Sequence, residues 1–124
     1  MTYKKTIIAV DDSGIVLKRL ENLLSQAYDF HAFAKCDRAL TYLETNIPSL
    51  ILLDIDMPVM NGFQMLKKIR ATESLKLTPV IFLTSNNDKE HVIRAVQSGA
   101  NDYVAKPIDE HILMNKINTL IYHR

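Results

Sequence analysis

The sequence is poor in the features that disulfides, nucleotide loops and membrane spans require. Its single cysteine, Cys36, excludes an intramolecular disulfide, fits a reducing compartment and is expected to be a small filler residue. The three glycines stand apart at positions 14, 62 and 99, so neither a Walker loop nor a glycine-rich dinucleotide turn is present. No apolar run approaches the ~18–20 residues of a transmembrane helix, and a formal net charge of +1 gives no basis for general attraction to nucleic acid. We therefore expect a soluble cytoplasmic protein without a membrane span or direct nucleic-acid binding.

Short apolar runs dominate the rest of the chain, and its 124 residues are expected to form one domain, 1–124. The runs predict five strands, at residues 6–10, 29–34, 50–54, 79–83 and 102–105. Helical patterns follow each strand, at residues 14–27, 37–44, around Phe63, Leu66 and Ile69, at 90–98 and at 109–122. This alternation predicts an α/β fold with a doubly wound, five-stranded parallel sheet and five helices on its two faces.

Polar residues follow four of these runs at the point where each strand is predicted to end. They are Asp11-Asp12 after the first strand, Asp54-Ile55-Asp56 at the third, Thr84 after the fourth and Lys106 after the fifth. Ligands of open α/β sheets bind outside the carboxyl ends of the strands. The carboxylates, the hydroxyl and the ammonium are therefore predicted to share one edge, which suits a divalent cation and a phosphoryl group.

Asp11, Asp12 and Asp54 are the candidate metal ligands. Carboxylates at neighbouring strand ends repel one another, and a hard cation removes that repulsion. Mg²⁺ prefers one or two carboxylates together with water and phosphate oxygens, so we expect Mg²⁺ at this edge. The alternative is that these acids only cap helices and loops, a role that Asp12-Ser13 offers to the first helix. Three carboxylates at two strand ends favour the cation.

Lys106 and Thr84 are weaker signals when each is taken alone. A lysine at a strand end is usually a solvated charge, and a threonine there is usually structural. Beside the acids, the Lys106 ammonium is expected to pair with Asp54 and then with a phosphoryl oxygen. The Thr84 hydroxyl is expected to donate to a phosphoryl oxygen as well. The histidines lack metal-ligand spacing and are expected on exposed faces; they stand at positions 31, 91, 111 and 123.

In their order along the chain, these motifs resemble the receiver domain of two-component response regulators, of the single-domain chemotaxis type. The resemblance covers nearly the whole chain, through Asp11-Asp12, Asp54, Met57-Pro58, Gly62, Leu83-Thr84-Ser85, residues 99–103 and Lys106-Pro107. It implies a flavodoxin-like sheet with strand order 2-1-3-4-5. It also implies a protein that takes up a phosphoryl group and later loses it, rather than an enzyme that turns over a substrate.

The resemblance also assigns roles to single residues. Asp54 is implied to be the phosphoacceptor, and a histidine kinase or phosphotransfer protein is implied to be the donor. The implied Mg²⁺ ligands are Asp12, Asp54 and the backbone carbonyl of Asp56, with Asp11 acting largely through water. Lys106 is implied to neutralise charge on the transferred group.

Thr84 and Tyr103 are implied to form a switch in which the Tyr103 rotamer follows the Thr84 hydroxyl. The signal is expected on the surface made by the fourth helix, fifth strand and fifth helix, where a downstream protein binds. Ordinary solvated side chains are the alternative for the candidate contact residues there, which are Lys89, Arg94, Tyr103 and Glu110. No segment follows the fifth helix in this sequence, so we expect no output domain in it.

Two other functions stay open. Asp54-Ile55-Asp56 after an apolar strand matches the Asp-x-Asp that opens haloacid-dehalogenase phosphatases, but Pro58 stands where that family has threonine or valine. The second alternative is a receiver-like binding module that never takes phosphate. Such modules usually lose an acid or the lysine, and this chain has all of them.

Overall fold

The computed structural model describes residues 3–86 and 89–122. Its strands are β1 (Thr6–Val10), β2 (Asp29–Phe33), β3 (Leu50–Asp54), β4 (Val80–Thr84) and β5 (Asp102–Ala105). Its helices are α1 (Gly14–Leu24), α2 (Cys36–Leu43), α3 (Gly62–Ala71), α4 (Lys89–Gln97) and α5 (Glu110–Tyr122), with a short 3-10 helix at Glu73–Leu75. Asn87 and Asp88, in the loop after β4, and His123 lie outside the described residues.

All five strands are parallel and lie side by side in the order β2-β1-β3-β4-β5. This confirms the predicted doubly wound sheet and its flavodoxin-like strand order. β1 and β3 are neighbours, with Val10 paired with Leu53, and β4 pairs with β5, with Thr84 opposite Ala105. Because the strands run in one direction, the residues that follow their last positions meet at one edge of the sheet.

Apolar clusters cover both faces of the sheet. α1 and α5 pack on one face, where Leu20 and Ile117 are fully buried. α2, α3 and α4 pack on the other face around Phe82, which is also fully buried. Burial on both faces explains why the central strands read as continuous apolar runs rather than as alternating ones. Of the described helices, none combines the length and the apolar character that crossing a lipid bilayer needs.

The bounds of β1, β3 and β5 are as predicted, and those of the other elements lie within three residues of the predictions. α1 ends at Leu24 rather than at Ala27, and the Ala27 and Tyr28 N–H groups both bond to Leu24 O, at 3.2 and 2.9 Å, in a closing turn before β2. The side chain of Ala27 is exposed and adds nothing to the apolar face. β4 extends one residue beyond its predicted end, so Thr84 belongs to the strand itself.

The predictions for cysteine and histidine have different outcomes. Cys36 is 8% exposed and packs in the core, as expected of a filler residue. Burial, together with two nearby aspartates, raises the pKa of its thiol to about 11. The expectation of exposed histidines is wrong for His31 and His91, which are half-buried. The His91 ring packs edge-on to the Phe63 ring at a centroid distance of 5.9 Å, a contact between α3 and α4 that residue spacing does not indicate.

Candidate functional site

Three of the predicted acidic residues meet at the carboxyl-end edge of the sheet. Asp11 and Asp54 directly follow Val10 and Leu53, which are paired in register on the two adjacent strands. Asp11 is fully buried and Asp54 is 2% exposed, whereas Asp12 is exposed. One carboxylate oxygen from each of these aspartates lies within 4.8 Å of the other two. The structure thus brings together the carboxylates that the sequence predicts to share one edge.

Lys106 contacts both buried carboxylates. Its Nζ lies 2.7 Å from Asp11 Oδ2 and 3.3 Å from Asp54 Oδ1, and 15% of its side chain is exposed. The pairing with Asp54 is the expected one. The shorter contact with Asp11 is not indicated by the sequence, which pairs Lys106 only with Asp54. Asp11 is also held by its other oxygen, since Oδ1 accepts a hydrogen bond from the Ser13 N–H at 2.9 Å.

The two buried carboxylates share a single ammonium. Burial, followed by the charge of Asp11, raises the pKa of Asp54 to about 7. Lys106 and the Asp56 N–H, whose nitrogen lies 3.2 Å from Asp54 Oδ1, act in the opposite direction. Burial alone lowers the pKa of Lys106, but its contacts with Asp11 and Asp54 outweigh burial, and the pKa is raised. The site therefore holds a protonated lysine beside Asp54, whose carboxyl group is harder to ionise than usual.

The donor set fits a divalent cation. Asp11 Oδ2 is buried and, within the described residues, has no well-directed hydrogen bond despite its short ion contact with Lys106. Asp12 is exposed, so water can complete a coordination shell on its side. A cation among the three carboxylates would supply the positive charge that one lysine does not. The role of the Asp56 carbonyl as a ligand stays a prediction; its side chain is exposed.

The backbone that carries Asp54 is fixed by the start of α3. The Gly62 N–H bonds to Ile55 O at 2.8 Å, and a side chain at position 62 would collide with the backbone of Asp54. Asn61 caps the helix through reciprocal hydrogen bonds with Gln64. The sequence alone predicts only that Gly62 helps to form a turn. Its proximity to Asp54 depends on packing that no local pattern shows.

Thr84 and Tyr103 lie on the same face of the sheet. Tyr103 pairs with Phe82, which belongs to the apolar cluster under α2, α3 and α4, and Tyr103 packs against that cluster. Phe82 and Thr84 are two residues apart on β4 and therefore share a face. The Thr84 hydroxyl is bonded within its own loop, donating to Asn86 O at 2.8 Å and accepting from the Asn86 N–H at 3.0 Å. These positions are compatible with the predicted switch, whose movement stays a prediction.

The residues predicted to contact a partner are spread over α4, β5 and α5. Lys89, Arg94 and Glu110 are exposed, whereas Tyr103 is half-buried. Arg94 is tied to α3, since its guanidinium lies 4.0 Å from the centroid of the Phe63 ring. A cation over an aromatic face is attracted by the ring electrons, so this contact restricts the arginine.

The same surface exposes apolar side chains. On α4, Ala95 is buried, while Ile93 and Val96 are 43% and 62% exposed. On α5, Ile112 is 51% exposed. Apolar residues at helical spacing usually indicate a buried stripe. Their exposure depends on how the two helices pack on the sheet, which residue spacing alone does not show.

Comparison with known proteins gives consistent matches over most of the chain. Residues 7–118 match the family model of the response regulator receiver domain. The chain is 32% identical to chemotaxis protein CheY1 of Helicobacter pylori (strain J99), over 93% of this chain and 95% of that protein. It is also 32% identical to transcriptional regulatory protein AfsQ1 of Streptomyces coelicolor, over 94% of this chain and 51% of that protein. The chain therefore spans about half the length of some curated relatives and nearly all of others.

Solved structures match equally well. A putative response regulator from Chloroflexus aurantiacus superposes with a TM-score of 0.90 at 29% identity, over 96% of this chain and 98% of that one. The BeF3-activated receiver domain of DrrB, a Thermotoga maritima protein, gives a TM-score of 0.87 at 28% identity, over 98% and 99% of the two chains.

A five-stranded doubly wound sheet, with buried acids and a lysine at its carboxyl-end edge, defines a receiver-type signalling domain. The chain belongs to the response regulator receiver domain family of two-component systems and is similar to CheY. Receiver domains and CheY-like proteins are in general signalling proteins rather than classical enzymes. The assignment decides against the haloacid-dehalogenase alternative.

Proposed function

We propose that residues 1–124 form one receiver domain that accepts a single phosphoryl group on Asp54 in a two-component phosphorelay. The observation that carries the proposal is the position of the Asp54 carboxylate. It is 2% exposed at the sheet edge, in contact with Lys106 and close to Asp11 and Asp12. Burial raises its pKa to about 7, and a more basic carboxylate is a stronger nucleophile in its ionised form.

In the proposed step, a carboxylate oxygen of Asp54 attacks the phosphorus of a phosphohistidine on a histidine kinase or phosphotransfer protein. The O–P bond forms as the N–P bond breaks, and the leaving imidazole keeps the electron pair and takes up a proton. Hydrolysis later returns the carboxylate and inorganic phosphate. The protein is both acceptor and catalyst of this exchange and turns over no other substrate.

The proposed Mg²⁺ ligands are Asp12, Asp54 and the backbone carbonyl of Asp56, with Asp11 acting largely through water. Mg²⁺ held by these groups would supply positive charge that offsets the charge of the phosphoryl group. The Lys106 ammonium, 3.3 Å from Asp54 Oδ1, is near enough to bind another phosphoryl oxygen and neutralise its charge. Its contact with Asp11 holds it at the site before transfer.

Thr84 and Tyr103 are proposed to transmit the change. The Thr84 hydroxyl gives up its bonds to Asn86 and donates to the phosphoryl group, and the Tyr103 ring follows. The surface of α4, β5 and α5 then binds a downstream protein. Its exposed Ile93 and Val96 support a protein partner, because apolar side chains beside charged ones are typical of interfaces.

The donor is proposed to dock beside the acidic edge. Ile15, in the first turn of α1, is 85% exposed, and it follows the acidic loop by only three residues. A large apolar side chain at this place suits contact with a phosphohistidine-bearing protein. Such donors and the buried free thiol of Cys36 are the reasons to propose a cytoplasmic location.

The experiment is to incubate the protein with acetyl phosphate and Mg²⁺ and to measure its intact mass. The wild type is expected to gain one phosphoryl group and Asp54→Ala none, because the only proposed acceptor is removed. Asp37→Ala, which removes an exposed acid of α2, is the matched control and is expected to label as the wild type does. No labelling of the wild type would favour a binding module that takes no phosphate, and equal labelling of Asp54→Ala would overturn the assignment of the acceptor.

A further inference from the structure

Lys116 reaches Tyr103 across the outer edge of the sheet. β5 is the last strand of the sheet, α5 packs on one face, and Tyr103 packs against the cluster on the other. From α5, the Lys116 ammonium donates to Tyr103 O at 2.9 Å and lies 5.0 Å from the centroid of the Tyr103 ring. One cation therefore contacts both the backbone and the ring of the same residue.

Asp102 fixes the position of this ammonium. Its Oδ1 accepts hydrogen bonds from Lys116 Nζ at 2.8 Å and from the Tyr103 N–H at 2.8 Å. The side chains of Lys116 and Asp102 are 28% and 35% exposed, so the pair is partly removed from water. A carboxylate that binds both groups restricts the rotamers open to the lysine. The ammonium is thereby held where it faces the ring.

We propose that Lys116 is a positioning residue that sets the resting rotamer of the Tyr103 ring. The ammonium attracts the ring in its present position, and a rotamer that carries the ring away loses this attraction. A cation–π contact at a partly exposed site shifts such an equilibrium about threefold. The inference rests on the proposed function, in which the switch consists of movements of the Thr84 hydroxyl and the Tyr103 ring.

The test measures the χ1 rotamer of Tyr103 without any phosphodonor. Three-bond couplings from the backbone nitrogen and carbonyl carbon to the Tyr103 Cγ report this torsion and do not depend on nearby charge. Lys116→Met keeps most of the aliphatic stem and removes the ammonium, and Lys116→Arg keeps a cation. Lys18→Met is the control, since Lys18 is a lysine of α1 that is 70% exposed and pairs with Glu21.

Lys116→Met is expected to reduce the ratio of the resting rotamer to the others about threefold, because the attraction to the ring is lost. Lys116→Arg and Lys18→Met are expected to keep the wild-type couplings. Asp102→Asn, which frees the ammonium while keeping an acceptor for the Tyr103 N–H, is expected to act in the same direction as Lys116→Met. Couplings in Lys116→Met equal to those of Lys18→Met would overturn the inference, even if that variant were less stable to urea.

A second measurement separates this inference from the proposed function. Wild-type protein treated with Mg²⁺ and beryllofluoride is expected to change its Tyr103 couplings if the ring is part of the switch. A rotamer change in Lys116→Met without any response of the wild type to beryllofluoride would support the role of Lys116 and contradict the switch. A response of the wild type with no effect of Lys116→Met would do the opposite.

Discussion

Gly62 lies so close to the backbone of Asp54 that a Cβ atom at Gly62 would be 2.5 Å from Asp54 O. Carbon atoms do not approach a carbonyl oxygen at that distance, so a larger residue must move the backbone. We predict that Gly62→Ala destabilises the protein by about 1–3 kcal/mol, which urea denaturation measures. Acetyl phosphate is expected to label Asp54 roughly tenfold or more slowly, because the carboxylate is displaced.

Gly14 provides the matched control for that substitution. A Cβ atom at Gly14 would meet nothing within 4 Å, although this glycine also begins a helix after the acidic residues of a strand end. Gly14→Ala is therefore expected to leave stability and labelling near the wild-type values. Equal behaviour of the two alanine variants would show that close packing at position 62 does not hold Asp54 in place.

The buried charge of Asp54 should make stability depend on pH. Since its pKa is raised to about 7, the native state holds a proton that the unfolded chain releases near its ordinary value of 3.8. The associated stabilisation is complete below the ordinary pKa and is lost as pH rises through about 7. In metal-free buffer, Asp54→Asn is thus predicted to raise the free energy of unfolding by about 1–3 kcal/mol at about pH 8, with little gain near pH 4.

Denaturation by urea across that pH range, with a chelator present, measures this effect. Asp37→Asn removes an exposed acid and should change stability little at either extreme. A gain from Asp54→Asn that is the same at acid and alkaline pH would contradict the electrostatic account of the site.

Removal of Lys106 should have the opposite effect. Lys106→Met leaves the Asp11 and Asp54 carboxylates buried without their ammonium, and a broken buried pair costs about 3–5 kcal/mol. The loss is predicted to be smaller below neutral pH, where Asp54 takes up a proton, and to be partly recovered by Mg²⁺, which binds the folded state. Thermal unfolding with and without Mg²⁺ measures both effects, and a Lys106→Met midpoint equal to that of Lys18→Met would contradict the prediction.

Val59 adopts an unfavourable backbone conformation that a substitution should relieve. Its φ angle is 69°, in the left-handed region that branched side chains avoid, and its side chain is fully exposed. Val59→Asn loses no packing and is predicted to raise the free energy of unfolding by about 0.5–1.5 kcal/mol. Ile47→Asn, at an exposed apolar residue whose φ is not positive, is the control for urea denaturation. An unchanged or lower stability of Val59→Asn would show that position 59 carries no strain.

The fold and the acidic edge were predictable because each depends on a local pattern. Apolar runs followed by polar residues mark strand ends, and Asp11 and Asp54 met as expected once β1 and β3 were adjacent. The contact of Lys106 with Asp11 was not predictable, because it depends on the rotamers of side chains from strands far apart in sequence. For the same reason, the sequence did not predict that His91 is half-buried or that Lys116 contacts the Tyr103 ring.

The central claim is that Asp54 receives the phosphoryl group, and trapping the aspartyl phosphate tests it most directly. Borohydride reduces an acyl phosphate to the alcohol, so a phosphorylated aspartate becomes homoserine, which peptide mass spectrometry locates. After treatment with acetyl phosphate and Mg²⁺, we predict homoserine at position 54. Homoserine at Asp11, Asp12 or Asp56 instead would contradict the account.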